Sequence, residues 1–296
     1  MRDSFSSYHP AVNMLYFALM IAFAMILMHP VCLVLSFVCA FSYAVYLNGR
    51  RALTFALAGM LPMLLTAALI NPAFNHRGAT ILGYLPSGNP LTLESLVYGA
   101  AAALMLVAVV SWFSCYHAVM TSDKFIYLFG RVIPALSLML SMALRFVPRF
   151  RAQIKIVASA QLCIGRGVAH GGPLRRARRG LRILSVMVTW ALENAIETAG
   201  SMRSRGYGLP GRTAFSLYRM DRRDRRALLF LAAVGAYLIA GAAAGGLHFR
   251  YFPTFKGLWG GGYTLSLFAA YFALGATPLV INIREDRMWK ATASKI

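Results

Sequence analysis

AVNMLYFALMIAFAMILMHPVCLVLSFVCAFSYAVYLNG, residues 11–49, contains no Asp, Glu, Lys or Arg. As one helix it would be about 60 Å long, roughly twice the hydrocarbon thickness of a bilayer. His29-Pro30 lies near its middle, and a proline is suited to a first helical turn rather than an interior one. The stretch therefore predicts two membrane spans, about 11–28 and 31–47, joined by a tight turn. Asn48-Gly49-Arg50-Arg51 closes the second with a basic flank.

The same pattern continues outward. A third span is expected over about 53–71, with Pro62 tolerated inside it and Asn71-Pro72 ending it. A Gly-, Pro- and Asn-rich loop follows, and Gly88-Asn89-Pro90 with Thr92 and Glu94 reads as a turn into a helix start. Further spans are expected over about 93–120, 227–246 and 264–283, the last preceded by a Gly260-Gly261-Gly262 loop. With 296 residues, 59% of them hydrophobic and only 13% charged, the chain reads as an all-α polytopic membrane protein with about six transmembrane helices. Residues 1–8 are polar and the apolar run after them is too long for a cleavable signal peptide. Placing 48–51, 121–226 and 284–296 inside leaves only Arg77, Arg250 and Lys256 among the basic loop residues outside, so both termini are expected in the cytoplasm and the chain in the cell membrane. The expected organisation is an N-terminal bundle over 1–120, a cytoplasmic region over 121–226 and a C-terminal hairpin with its tail over 227–296.

The charge is concentrated in the middle region. Of 30 Lys and Arg in the chain, 18 lie in 145–226 against four acids, Glu193, Glu197, Asp221 and Asp224. Two long helical patterns run through it. The second has apolar or small residues at Leu181, Leu184, Val188, Ala191, Leu192, Ala195, Ala199 and Met202, with Ser185, Thr189, Glu193, Glu197 and Ser201 between them. That is an amphipathic helix of roughly 25 residues, about 37 Å long. Ala191, Ala195 and Ala199 recur every four residues, a stripe where another helix can cross closely. Gly206 supplies a left-handed stop, Pro210 prevents a restart, and Arg205 falls in the last turn. The first pattern covers about 134–166, and Pro148 is expected to kink or split it between Arg145 and Arg149. It ends at Gly165-Arg166-Gly167, chemically like Ser204-Arg205-Gly206. Between them lie the loop His170-Gly171-Gly172-Pro173 and a basic linker carrying Arg175, Arg176, Arg178, Arg179 and Arg182. One arginine before a glycine is ordinary helix-capping chemistry. Two such ends flanking one basic linker single the region out.

Soluble catalysis finds no support. There is no P-loop, GxSxG, HExxH or dinucleotide fingerprint, so this chain is not expected to hydrolyse ATP by itself. Cys32, Cys39, Cys115 and Cys163 show no CxxC spacing, and the six histidines are scattered, so neither a disulfide framework nor a metal site is indicated. Glu193 and Glu197 read as a solvated or salt-bridged face rather than a paired acid and base, with the arginines of 175–182 or of the crossing helix as available partners. The basic cluster suits anionic lipid headgroups at the cytoplasmic face. Nucleic acid is not expected as a partner, because the aromatic interleaving it needs is absent.

The order of these elements resembles the transmembrane T component of energy-coupling factor (ECF) transporters, the CbiQ-like family. The resemblance runs from His9-Pro10 through Arg145-Phe146-Val147-Pro148 to the two tips, over roughly residues 8–283. Its most specific piece is Ala199-Gly200-Ser201-Met202-Arg203-Ser204-Arg205-Gly206-Tyr207-Gly208. The family's usual tip is Ala-Arg-Gly, and here Gly165 and Ser204 hold the first position. The resemblance implies a non-catalytic subunit with long crossing cytoplasmic coupling helices. Each tip, Gly165-Arg166-Gly167 and Ser204-Arg205-Gly206, would dock on one of two ABC-type ATPases, and ATP and Mg would be bound by those partners, with no cofactor in this chain. The apolar faces, including Ala191, Ala195 and Ala199, would hold a small membrane S component that captures a vitamin or a transition-metal ion. Two other classes remain open at the level of sequence: a membrane-embedded enzyme acting on lipid or isoprenoid phosphates, and a stand-alone permease.

Overall fold

The structure is a computed structural model, and it describes residues 3–84, 90–130, 133–167, 172–210, 218–257 and 261–293. Gly88, Asn89, His170, Gly171 and Gly260 of the expected loops lie outside the described residues. The chain forms two compact units, one of residues 1–125 with 218–296 and another of 126–217. The stretches on either side of the middle region thus share one unit.

A 3-10 turn, Phe5–Ser7, precedes α1, Pro10–Ile26, and α2, Pro30–Asn48. Both helices start with the same chemistry. The His9 ring accepts from the Ala11 N–H (3.2 Å) and the His29 ring from the Val31 N–H (3.3 Å), while Pro10 and Pro30 occupy first-turn positions whose N–H groups have no helical partner. His29-Pro30 therefore divides the charge-free run as expected. After α2 come α3, Arg50–Phe74, and α4, Leu93–Val119, with a two-stranded antiparallel hairpin between them, β1, Ile81–Tyr84, and β2, Pro90–Thr92. A short helix, α5, Ser122–Gly130, leads to α6, Pro134–Cys163, and α7, Pro173–Ser204. The chain returns to the first unit for α8, Arg222–Ala243, and α9, Gly262–Ala293. This is an all-α polytopic membrane protein. Among the described residues five helices, α2, α3, α4, α8 and α9, are long and apolar enough to cross a membrane. The sixth expected span, α1, is apolar but has only 17 residues.

Two expectations about prolines are corrected. Asn71-Pro72 does not end the third span, since α3 continues to Phe74 with Pro72 inside. Pro72 lacks the N–H that would bond the Ala68 carbonyl, and Gly99 of α4 covers that spot. A methyl on Gly99 would lie 2.6 Å from the Ala68 oxygen, so the bare glycine is what lets the helices approach. Pro62 in turn follows one π-helical turn, Ala56–Met60, which absorbs the break in hydrogen bonding. Nor does Pro148 split α6, which is helical throughout Pro134–Cys163.

The core of the first unit is aromatic. Trp112 of α4 meets Tyr16 and Phe17 of α1 edge-on at 5.8 and 6.4 Å, and its indole N–H donates to Ser36 Oγ at 3.0 Å. One end is tied by the N-terminal turn. The Phe5 N–H donates to Asn282 Oδ1 (3.1 Å), Asn282 Nδ2 donates to Asp3 Oδ1 (2.6 Å), and Tyr43 OH donates to Asp3 Oδ2 (3.2 Å). Buried Lys124 donates to the carbonyls of Ser6 (2.6 Å) and Val119 (2.9 Å). The opposite end rests on buried Glu94, whose carboxylate accepts from the Thr80 N–H (3.2 Å) and Thr80 Oγ1 (2.9 Å). Thr92 Oγ1 accepts from the Ser95 N–H (3.4 Å), which is the helix start expected there.

Candidate functional site

The middle unit is built on α6 and α7. They pack through Val157, Ile183 and Met187, with Phe150, Ala158 and Trp190 beside them. Phe150 and Trp190 meet edge-on at 5.4 Å, and the Arg149 guanidinium lies 5.7 Å from the Trp190 ring centre, a cation over a π face. The buried stripe of α7 is thus Ile183, Met187 and Trp190, spaced four and three. Reasoning from sequence passed over this stripe in favour of the alanines. Ala191 is half-buried, and Ala195 and Ala199 are exposed. Leu181, Leu184, Val188 and Leu192, on the face read as apolar, are 51–64% exposed. The helix carries two apolar stripes, of which α6 covers one.

The basic linker is not a linker. Arg175, Arg176, Arg178, Arg179 and Arg182 belong to the first turns of α7, which starts at Pro173 and not near Leu181. Pro173 suits the first turn, and the Leu, Ala and Arg that follow are strong helix formers. Cations at a helix N-terminus oppose its dipole. Arg179 offsets part of this by donating from its guanidinium to the Gly167 carbonyl at 2.6 Å, which ties the start of α7 to the end of α6.

Both tips close with the same turn. After α6, the Gly165 N–H donates to Leu162 O (2.9 Å), the Arg166 N–H to Gln161 O (2.8 Å), and Gly165 has φ +75°. After α7, the Gly206 N–H donates to Arg203 O (3.0 Å), the Tyr207 N–H to Met202 O (3.0 Å), and Gly206 has φ +80°. In each, the left-handed residue must be glycine, because a Cβ there meets the following carbonyl. The arginines, however, stand on opposite sides of it. Arg205 is the C-cap of α7 and precedes its glycine, whereas Arg166 follows Gly165 and lies past the cap residue Ile164. Matched by backbone turn, Gly165 corresponds to Gly206 and Arg166 to Tyr207. Gly165 is therefore the left-handed stop of α6, and Gly167 is buried beside Leu162. Arg166, Ser204 and Arg205 are all exposed. Glu193 and Glu197 are exposed as well and make no ion pair among the described residues.

No family model matches the chain. Three curated proteins, each named energy-coupling factor transporter transmembrane protein EcfT, are similar to it. That of Leuconostoc gelidum subsp. gasicomitatum is 32% identical over 111 residues, 37% of this chain and 41% of the relative. That of Lactobacillus helveticus is 34% identical over 109 residues, 36% of this chain and 39% of the relative. The chain thus spans about two fifths of the length of these two. That of Bacillus selenitireducens is 27% identical over 212 residues, 66% of this chain and 79% of the relative. The chain is thus an all-α membrane protein similar in sequence to several proteins that share the name energy-coupling factor transporter transmembrane protein.

Proposed function

We propose that the chain is the transmembrane coupling subunit of an ECF-type importer, passing the motion of two ABC-type ATPases to a small membrane S component that captures a vitamin or a transition-metal ion. The observation that carries this reading is the pair of long helices ending in identically closed turns with exposed arginines, Arg166 and Arg205. A guanidinium at a helix end can take a carboxylate in two parallel hydrogen bonds. A helix held by its own cap and by side-chain packing moves as a rod, so a force at the tip reaches whatever lies along it. The uncovered stripe of Leu181, Leu184, Val188 and Leu192, continued by Ala195 and Ala199, is the surface offered to the S component. In this reading the tips and both termini face the cytoplasm, basic residues of α7 lie against anionic lipid, and ATP with its Mg stays in the partner subunits.

The test is purification of the intact complex from a membrane that makes all its subunits. Wild type brings down two ATPases and one small hydrophobic protein. Arg166→Ala with Arg205→Ala loses the ATPases or keeps them without transport, since stranding the partner of a buried charge pair costs about 2–5 kcal/mol. Full assembly and normal uptake in that double variant overturn the proposal.

A further inference from the structure

We propose that the groove between the N-terminal turn, α8 and α9 is a site for one anionic glycerophospholipid. Two cavities adjoin there, of about 430 and 640 Å³, and share Tyr8, Arg223 and Ile281. The first has an apolar floor of Val12, Ala227, Phe230 and Leu231, and the second opens beneath Arg284, Met288 and Trp289. Cationic groups thus rim one end of two helices that are long and apolar enough to cross a membrane, and the floor runs inward along them.

The charges decide what fits. Arg223 is held in place: its guanidinium sits 4.2 Å from the Tyr8 ring centre, pairs with Glu285 at 3.3 Å and donates to Ser7 Oγ at 3.3 Å. The neighbouring acids are engaged in the same way. Buried Asp224 accepts from the His9 and Asp221 N–H groups at 3.3 and 3.2 Å, and Asp286 accepts from Tyr46 OH at 2.8 Å. Arg226 and Arg284 are exposed, and neither makes an ion pair or a side-chain hydrogen bond with another described residue. Arg226 lines the first cavity and Arg284 the second, each with the fixed Arg223, so the adjoining cavities offer open guanidinium donors to a phosphate diester. A soluble phosphate would leave the apolar floor empty, and a zwitterionic headgroup would bring its own cation among the arginines. An anionic headgroup on acyl chains uses both halves of the groove.

This inference needs only that the chain crosses a membrane, and its readout does not involve ATPase attachment, so the coupling role and the lipid site can fail separately. The full-length chain in mild detergent is mixed with dioleoylphosphatidylglycerol or dioleoylphosphatidylcholine, and retained lipid is counted by native mass spectrometry. Wild type is expected to keep one phosphatidylglycerol at least about tenfold better than phosphatidylcholine, the size two arginines would supply. Arg226→Gln with Arg284→Gln abolishes that preference, Arg226→Lys with Arg284→Lys keeps part of it, and Arg77→Gln with Arg250→Gln, exposed residues away from the groove, leaves it intact. Ala227→Trp, which fills the floor and spares every arginine, expels the lipid from a chain whose thermal unfolding is unchanged. Retention in the double glutamine variant equal to wild type overturns the proposal. So does equal retention of both lipids, or displacement by millimolar inorganic phosphate, the mark of a free-anion site.

Discussion

At the scale of single residues, the sharpest result is that two similar tripeptides are not superimposable. Gly165 and Gly206 share a left-handed backbone and Gly167 does not, so the arginines fall before one glycine and after the other. Gly165→Ala should cost about 1–2 kcal/mol and fray the end of α6, because the left-handed conformation penalises a side chain by that amount. Gly167→Ala should cost less, since the added methyl meets the flexible end of Leu162. Thermal unfolding and amide exchange over 160–167 separate the two, and equal effects would count against Gly165 as the stop. Lys124 illustrates a different balance. Burial holds its ammonium below the ordinary lysine value of 10.5, while Asp3 pulls the other way. The unfolded chain keeps that proton longer, so the burial penalty is fully present below the lowered pKa and is relieved as pH rises from there toward 10.5. Lys124→Met removes this rise and also leaves the Ser6 and Val119 carbonyls without their donor, for a net loss of about 1–3 kcal/mol at neutral pH. Unfolding followed against pH in detergent checks both parts.

Among the elements, the contact between α3 and α4 shows how a proline in one helix is matched by a glycine in another. Pro72 frees the Ala68 carbonyl, and Gly99 lets the neighbouring backbone close over it. Gly99→Ala is expected to destabilise the chain by about 1–3 kcal/mol, because its methyl meets backbone that cannot rotate aside. A melting temperature equal to wild type would show that the two helices separate at no cost. The pairing of α6 with α7 teaches the complementary lesson. Leu, Val and Ala recur so regularly from Leu181 that they look like the buried face, yet Ile183, Met187 and Trp190 take that place because Phe150 and Val157 offer them a complementary surface. Periodicity identifies a helix and its apolar stripes, but a helix with two stripes does not say which neighbour covers which.

For the molecule as a whole, the orientation in the membrane has a probe already built in. Cys32, Cys39 and Cys115 are buried, and Cys163, the last residue of α6, is exposed. A membrane-impermeant maleimide should therefore label Cys163 from the cytoplasmic side only, in inverted vesicles and not in intact cells. Labelling from the outside would reverse the proposed topology. The order of the apolar helices, the break at His29-Pro30, the glycine stop of α7 and the resemblance to ECF transmembrane components were all legible from the chain. Each depends on residues adjacent in sequence, through hydropathy, capping or backbone sterics. Tertiary structure alone decided that residues 3–9 tie α2, α8 and α9 together, that α7 takes up the arginine-rich segment, which side of its glycine Arg166 occupies, and which apolar stripe is left uncovered. Those outcomes turn on which distant group supplies a hydrogen bond or fills a space, and local pattern carries no information about that.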